Sequence, residues 1–546
     1  MKSLEDRIAY LEARLRAHGI PDTEELPADL SPLAGNDLRA ASIPPNESES
    51  PSQDLVGHIA LESLREDSFA TSVVNRSGLS LLNSLLTHPV AELLRSAGAS
   101  EHHTLLHELP YEIRAGMPPK DAARRLIDTF FEHCDFFSPI ISSKEDFFAS
   151  VEPLYSASDP DQTMINAKFR ALIVFGTAVL LLNRSDPSVP ISRSEGYFAA
   201  AVQVLSHHSD SICTGDLEHL TSLLLIIQHS CFCSNLTAAW HFLGLATRLA
   251  VELNLHNEKL VSRLDPEAAN MRRWLFWTTY VFERNLCVII GRPFSIPDEA
   301  IETPLPDASP DDPRRLLAIH FIRVRRLESE LYITLHQKPP SNGAVLDPSA
   351  WINDMRRRLL EWHESVPPYA SQFASSHIFT GYLHNAMVLL HYPSPFLPTA
   401  SNEDLYKLAE HAMGSIECYR QTFRAGELRF YWRTVHNLFR SGVAVVYCSH
   451  VAKVQQLGLS LGDMTGAMNS CSSILYGMVE RYPPGKAYRD IFENLVNSVA
   501  GQGSGSPGTY DHDQFAIFDH IFAGFGDTDL ALGAIDTISW GFGGSS

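Results

Sequence analysis

The segment MRRWLFWTTYVFERNLCVIIGRPFSIPDEAIETPLP, residues 271–306, carries the most specific pattern in this chain. Its first part places large apolar side chains three and four residues apart, which predicts a helix of about twenty residues with one buried face. That face comprises Arg273, Phe276, Trp277, Tyr280, Cys287 and Ile290, with Glu283 or Arg284 on it. Gly291 can adopt the left-handed conformation that ends a helix and Pro293 cannot continue one, so the helix is predicted to end at GRP.

The next stretch, FSIPDEAIETPLP, is punctuated by prolines and is therefore predicted to be extended. The side chains expected to press it against the helical body are Phe294, Ile296, Ile301 and Leu305. We also predict that Glu283 is buried and pairs with an arginine such as Arg292, because a buried carboxylate without a partner is costly. The alternative is a solvated Glu283.

Helical periodicity continues over residues 101–498. Stretches such as NAKFRALIVFGTAVLLLN and TVHNLFRSGVAVVYCSHV place apolar residues at helical spacing, and no alternating strand pattern competes with them. The predicted fold class is all-α, with a multi-helix globular domain. Apolar runs such as LLLII within residues 220–233 are far shorter than the about 20 residues of a membrane span, so we expect a soluble intracellular protein without such a span.

The first 18 residues predict a short coiled-coil helix. Apolar residues recur at heptad spacing among charged ones and form a stripe for a partner helix. The stripe consists of Leu4, Ile8, Leu11 and Leu15. Because so short a helix is marginal in isolation, we expect dimerisation to stabilise it.

Both remaining segments predict disorder. Residues 19–100 form an acidic, low-complexity linker, with six prolines, eight acidic residues and one basic residue between positions 20 and 56. Residues 499–546 open with the flexible sequence AGQGSGSPG and continue with six aspartates among aromatic residues. Those aromatic residues include Phe515, Phe518, Phe522, Phe525 and Trp540. Such composition is typical of an activation segment, and the alternative is an ordinary docked C-terminal helix.

Composition also restricts the classes of function. The formal net charge of −21 argues against nucleic-acid binding by the bulk of the chain, since phosphate contacts require a clustered basic surface. Eight cysteines in 546 residues are too sparse for a disulfide framework.

The sequence contains no recognisable catalytic or metal-binding constellation. His103 and His107 lie one turn apart, but the glutamate of H-E-x-x-H and a third ligand are missing. Cys231 and Cys233 point to different faces of an apolar helix, which indicates buried thiols. The remaining acidic group, in a proline-rich loop, is Asp307, Asp311 and Asp312. We therefore predict no catalytic residue, no metal site, no cofactor and no enzymatic activity.

Residues 271–306 resemble the signature of the fungal-specific transcription factor regulatory domain of the binuclear zinc cluster proteins. This domain is also called the middle homology region or xylanolytic activator regulatory domain. The matching positions are Arg272, Arg273, Phe276, Trp277, Tyr280, Arg284, Gly291, Arg292, Pro293, Ile296, Leu305 and Pro306. Glu283 stands where the family usually has aspartate. The stretch AAWHFLGLATRLAVELNLH resembles another helix of the family, with Asn254 in place of the usual glycine.

The resemblance spans residues 110–497 and implies a nuclear regulator of RNA polymerase II transcription, for a metabolic or secondary-metabolite gene set. It also implies a homodimer, coactivator or mediator partners and a small-molecule effector. Family members typically carry an N-terminal six-cysteine zinc cluster, whereas the first cysteine here is Cys134. Zinc and DNA contact are therefore expected only through a cluster encoded upstream, missing by truncation or gene prediction. The alternative is a genuinely cluster-less interaction scaffold or cofactor that makes no DNA contact.

Overall fold

The computed structural model describes residues 116–156, 162–233, 235–261, 264–290, 292–336, 347–392, 394, 401–428, 430–455, 458–482 and 485–501. The chain divides into two units, Met1–Asp67 and Ser68–Ser546, and all described residues lie in the second. The predicted coiled-coil helix, the linker and the aromatic residues of the tail lie outside the described residues, as do His103 and His107.

The described part of the chain is built from α-helices joined by short loops, and it contains no β-strand, as the all-α prediction requires. The helices of its first half are α1 (Lys120–Cys134), α2 (Lys144–Val151), α3 (Gln162–Ser185), α4 (Ser192–His207), α5 (Ser209–Ile212), α6 (Leu217–Phe232), α7 (Leu236–Glu252), α8 (Glu258–Val261) and α9 (Pro266–Ile290). The second half contributes α10 (Pro313–His336), α11 (Pro348–Glu364), α12 (Ser376–His391), α13 (Asn402–Arg424), α14 (Tyr431–Gln455), α15 (Leu461–Val479) and α16 (Gly485–Gly501). Short 3₁₀ turns occur at Glu152–Tyr155, Asp298–Ala300 and Pro368–Gln372.

Helix α3 lies at the centre of the first half and packs against α1, α4 and α6. Residues 163–185 are long and apolar enough to cross a membrane by length and composition, yet 72% of their most apolar window is buried inside the domain. Phe169, Leu172 and Phe175 are almost fully buried among the neighbouring helices. This burial accounts for the hydropathy of α3 as that of a core helix.

The helices of the second half contribute to two apolar clusters. Helix α14 contacts α13, α15 and α16, and its buried residues join the main hydrophobic core. A smaller apolar cluster forms where α10, α11 and α12 meet, around Phe321, Met355 and Leu390. Phe136, just after α1, belongs to this smaller cluster and so ties the start of the domain to its second half.

Local sequence fixes several helix ends. The Ser401 hydroxyl accepts a hydrogen bond from the Asp404 amide at 3.1 Å, and the Asp404 carboxylate accepts one from the Ser401 amide, so α13 starts with a capping box. At the end of α7, Asn254 has a φ of 55°. The Leu255 and Asn254 amides donate to the carbonyls of Ala250 and Val251, both at 2.9 Å, which is the Schellman arrangement. The departure from glycine at Asn254 therefore falls at a left-handed position that asparagine tolerates.

Candidate functional site

Helix α9 carries the signature residues and runs for 25 residues, somewhat longer than the about twenty predicted from its periodicity. It ends at Ile290, as the GRP sequence predicts, and the Arg292 amide donates to the Cys287 carbonyl at 3.0 Å. Gly291 lies outside the described residues. Phe276, Trp277 and Tyr280 are each at most 3% exposed, so the predicted apolar face is buried.

A charged network is buried at the C-terminal half of this helix around Arg284, which is fully inaccessible. Its guanidinium forms an ion pair with Glu283 and another, at 2.9 Å, with Asp298 of the following 3₁₀ turn. It also donates to the Ile296 carbonyl at 2.6 Å and to the Ser329 hydroxyl at 3.0 Å. Aromatic faces complete the enclosure, since the Arg284 guanidinium lies 4.2 Å from the Tyr280 ring centroid.

The predicted burial of Glu283 is confirmed, because the residue is only 2% exposed. The predicted pairing with an arginine is also confirmed, but the partner is Arg284 and not the suggested Arg292, which is exposed. The other Glu283 oxygen accepts a hydrogen bond from the Ser295 amide at 2.7 Å. This arrangement arises because the chain turns at the end of α9 and brings residues 295–298 close to Glu283 and Arg284.

The extended segment that follows α9 holds the helix against α7. The Trp277 indole N–H donates to the Pro304 carbonyl at 2.7 Å, and Arg272 donates to the Leu253 carbonyl at the end of α7 at 2.6 Å. Arg273 forms an ion pair with Asp307 at 3.2 Å. As predicted, this segment presses on the core, through side chains that include Ile296, Ile301 and Leu305. Pro306 is buried and Pro293 is exposed.

A second buried charged group lies where α9, α10, α12 and α14 meet. Three arginines surround the single carboxylate of Glu328, namely Arg325, Arg433 and Arg440. Glu328 pairs with Arg325 and lies 3.5 Å from the Nη2 of Arg433. The Arg433 Nη1 donates to the Tyr382 hydroxyl at 2.9 Å, and the guanidinium lies 4.4 Å from the centroid of that ring. Sequence reasoning missed these residues, although arginines inside the apolar stretches of α10 and α14 were the available signal.

Next to this arginine cluster is a partly open cavity of about 100 Å³. Aromatic side chains from five parts of the chain line it: Phe136, Phe137, Phe321, Tyr382, Tyr419 and Phe430. Arg433 and Asn385 line both this cavity and a smaller space of about 20 Å³ that contains the arginine cluster. An apolar pocket with a few convergent polar groups is the usual form of a small-molecule site.

A larger, more open groove of about 640 Å³ runs between α10 and α11 and is lined by charged side chains of both signs. Two of them, Arg358 and Glu330, form a two-pronged ion pair at 2.6 and 2.8 Å. The smaller cavity has more apolar lining and only a few polar groups, so it is the stronger candidate site.

The buried histidines and thiols show no catalytic arrangement. Burial lowers the pKa of His384 to about 4 and that of His411 to about 3, and the two rings contact each other through Nδ1 atoms 3.0 Å apart. Cys231 is buried as predicted, whereas Cys233 lies beyond the end of α6 and is exposed, so the prediction for Cys233 was wrong. Among the described residues no group of three or more His, Cys, Asp or Glu side chains could hold a metal ion. Asp307, Asp311 and Asp312 lie in loops as expected.

Residues 127–363 match the family model described as the fungal specific transcription factor domain. These residues include α9 with its buried arginine and the extended segment that follows it. Over these residues the chain is therefore similar to fungal proteins that carry this domain.

Its relatives are named as regulators. The chain is 23% identical to the positive regulator of purine utilization of Emericella nidulans, over 82% of this chain and 55% of that protein. It is 25% identical to pyrimidine pathway regulatory protein 1 of Saccharomyces cerevisiae, over 43% of this chain and 29% of that protein. An uncharacterized transcriptional regulatory protein of Schizosaccharomyces pombe is 22% identical over 51% of this chain and 47% of its own length. The matched region thus spans from about a third to about half of these relatives. Their names fit a regulator of transcription and not an enzyme.

Proposed function

We propose that this chain regulates RNA polymerase II transcription in a fungal nucleus and has no enzymatic activity. The observation that carries the proposal is the match to the fungal specific transcription factor domain at residues 127–363, which includes the buried ion pairs of Arg284 with Glu283 and Asp298. The named roles of the relatives support the same class of function.

The target genes are proposed to be a metabolic set. Two relatives are named for purine utilization and for the pyrimidine pathway, which supports control of small-molecule metabolism as the general role. The helical domain is the part proposed to respond to a small-molecule effector, because it contains a cavity lined by aromatic and charged side chains.

The active form is proposed to be a homodimer held by the stripe of Leu4, Ile8, Leu11 and Leu15. The acidic-aromatic segment of residues 499–546 is proposed to contact coactivator or mediator proteins. The described residues do not fit the zinc of the family, since no group among them could hold a metal. DNA contact is therefore assigned to a six-cysteine cluster outside them.

Transcript profiling of a strain that lacks the gene tests the proposal. We expect a coherent set of metabolic genes to change expression, and a fluorescently tagged full chain to accumulate in the nucleus. Light scattering on the purified full chain should give the mass of a dimer, and Leu11→Asp should give that of a monomer. Unchanged transcripts across carbon and nitrogen sources would favour the competing function, an interaction scaffold without a transcriptional role.

A further inference from the structure

The arginine cluster beside the aromatic cavity has an imbalance of charge. Three guanidinium groups and one carboxylate line the smaller space, a formal charge of +2 among the described side chains. Arg325 is 1% exposed, and Arg440 and Glu328 are each 7% exposed. Burying excess charge of one sign is unfavourable unless a counter-charge is present.

The hydrogen bonds of the cluster leave donors unused. The Nε and Nη2 atoms of Arg325 are buried and form no hydrogen bond of ordinary geometry with the described residues, and the nearby Tyr382 hydroxyl only partly offsets the lowering of the Arg325 pKa by burial. Its Nη1 is committed to Glu328, and its guanidinium lies 4.7 Å from the Tyr382 ring centroid. A buried guanidinium with free N–H groups can accept an anion, because its planar fork matches the two oxygens of a carboxylate.

Burial and repulsion between the arginines together lower the pKa of two of them. Burial, with a contribution from the neighbouring Arg433 charge, lowers the pKa of Arg325. Burial is also the main reason that the pKa of Arg440 falls to about 10, and the Arg433 charge lowers it further. An anion placed between these groups would favour their charged forms and so oppose the lowering of both pKa values.

Arg433 connects this charge to the cavity of about 100 Å³, since it lines both spaces together with Asn385. A water molecule needs about 10–15 Å³ of such space, so the cavity has room for a compact organic molecule. Its wall includes six Phe and Tyr rings, with the Phe137 and Phe321 ring centroids 4.9 Å apart. The cavity thus joins an aromatic lining to the cationic Arg433, and the exposed Glu427 also lines it.

We propose that this cavity binds a small organic acid, with the apolar body among the aromatic rings and the carboxylate against Arg433, where it reaches the smaller space that Arg325 lines. The inference rests on the proposed function, because it names the chemistry of the effector to which the helical domain responds. Binding of the acid would stabilise the junction of α9, α10, α12 and α14, so the same event would tighten the contact of the signature helix with the second half of the domain.

Thermal unfolding of the purified full chain tests the site, with benzoate as the anionic probe and benzamide as its neutral isostere. We expect millimolar benzoate to raise the melting temperature by about 2–5 °C above a sodium chloride control of equal ionic strength. Benzamide should give no comparable rise. Arg433→Gln and Arg325→Gln should each abolish the benzoate response.

Arg315→Gln is the matched control, because Arg315 is also buried and ion-paired, with Asp135 at 3.2 Å, but does not line the cavity. This variant should melt at a lower temperature and keep the full benzoate response. Equal shifts with benzoate and benzamide, no shift with benzoate, or a benzoate shift that survives Arg433→Gln would each overturn the proposal. These readouts do not involve transcription, so they fail or succeed independently of the proposed regulatory function.

Discussion

Replacement of Arg284 by methionine tests the role of the signature network in the fold. Methionine retains most of the length of the side chain, so the change mainly removes charge and hydrogen bonds. Glu283 would stay buried with one bond, from the Ser295 amide, and the Ile296 carbonyl would lose its donor. Removing one partner of a buried pair typically costs about 3–5 kcal/mol. At about 2 °C per kcal/mol for a large domain, the melting temperature should fall by roughly 6–10 °C.

Two further variants separate this explanation from a general loss of packing. Glu283→Gln should cost less, about 1–3 kcal/mol, because Arg284 keeps Asp298 and the Ile296 carbonyl. The double variant should be more stable than Arg284→Met alone, since it no longer buries an unpaired carboxylate. The exposed Arg357→Met is the control and should leave the melting temperature unchanged. An Arg284→Met variant as stable as Arg357→Met, or strictly additive losses in the double variant, would refute the reasoning.

Three other expectations concern stability and are read by thermal or urea unfolding. Asn254→Gly should stabilise by up to about 1 kcal/mol and Asn254→Ala should destabilise by a similar amount, because φ is 55° there; equal stability of the two variants would contradict this. Gly442→Ala should cost about 1–3 kcal/mol, because its Cβ would lie 2.6 Å from a buried phenylalanine ring, whereas Gly466→Ala on an open helix face should be neutral or slightly stabilising; a harmless Gly442→Ala would count against the packing. The free energy of unfolding should fall as pH drops from 6.5 towards 4, because histidines that stay neutral when buried in the folded protein bind protons in the unfolded chain. The imidazoles whose pKa burial lowers to about 4 are His219, His229, His320 and His384. Asp135, with a pKa raised by burial to about 6, opposes this trend as a single group, and a melting temperature that rises on acidification would contradict the prediction.

The fold class and the course of α9 were predictable because they depend on local patterns. Apolar spacing determines which face of a helix is buried, and the GRP sequence marks its end, so the face of Phe276, Trp277 and Tyr280 was found correctly. The burial of Glu283 followed from the same spacing. The identity of its partner, Arg284, did not, because the partner depends on how the chain turns after the helix.

The arginine cluster was not predictable from local patterns. Arg325 and Glu328 lie three residues apart on α10, but Arg433 and Arg440 come from α14, about a hundred residues later. The packing of α9, α10, α12 and α14 determines which charged residues lie close together. The periodicity of the sequence alone does not specify that packing. The exposed Cys233 was missed for a related reason, since helical spacing does not apply beyond the end of α6.

The two groups of buried arginines differ in their balance of charge. Arg284 is matched by Glu283 and Asp298, with further bonds to backbone and hydroxyl groups, as expected of a structural element. The cluster around Glu328 is cationic in excess and adjoins a cavity. A site that binds an anion is expected to carry such uncompensated positive charge in the unliganded protein. This charge lowers the free energy of unfolding, and binding of the anion raises it again.

The central claim is that this chain regulates transcription, and a tethered reporter assay tests it most directly. The full chain is fused to an unrelated DNA-binding domain and expressed in a fungus that carries a reporter with the matching operator. We predict that reporter transcript changes relative to the DNA-binding domain alone, and that removal of residues 499–546 reduces any activation. A fusion that is present in the nucleus at normal level and leaves the reporter transcript unchanged would contradict the claim.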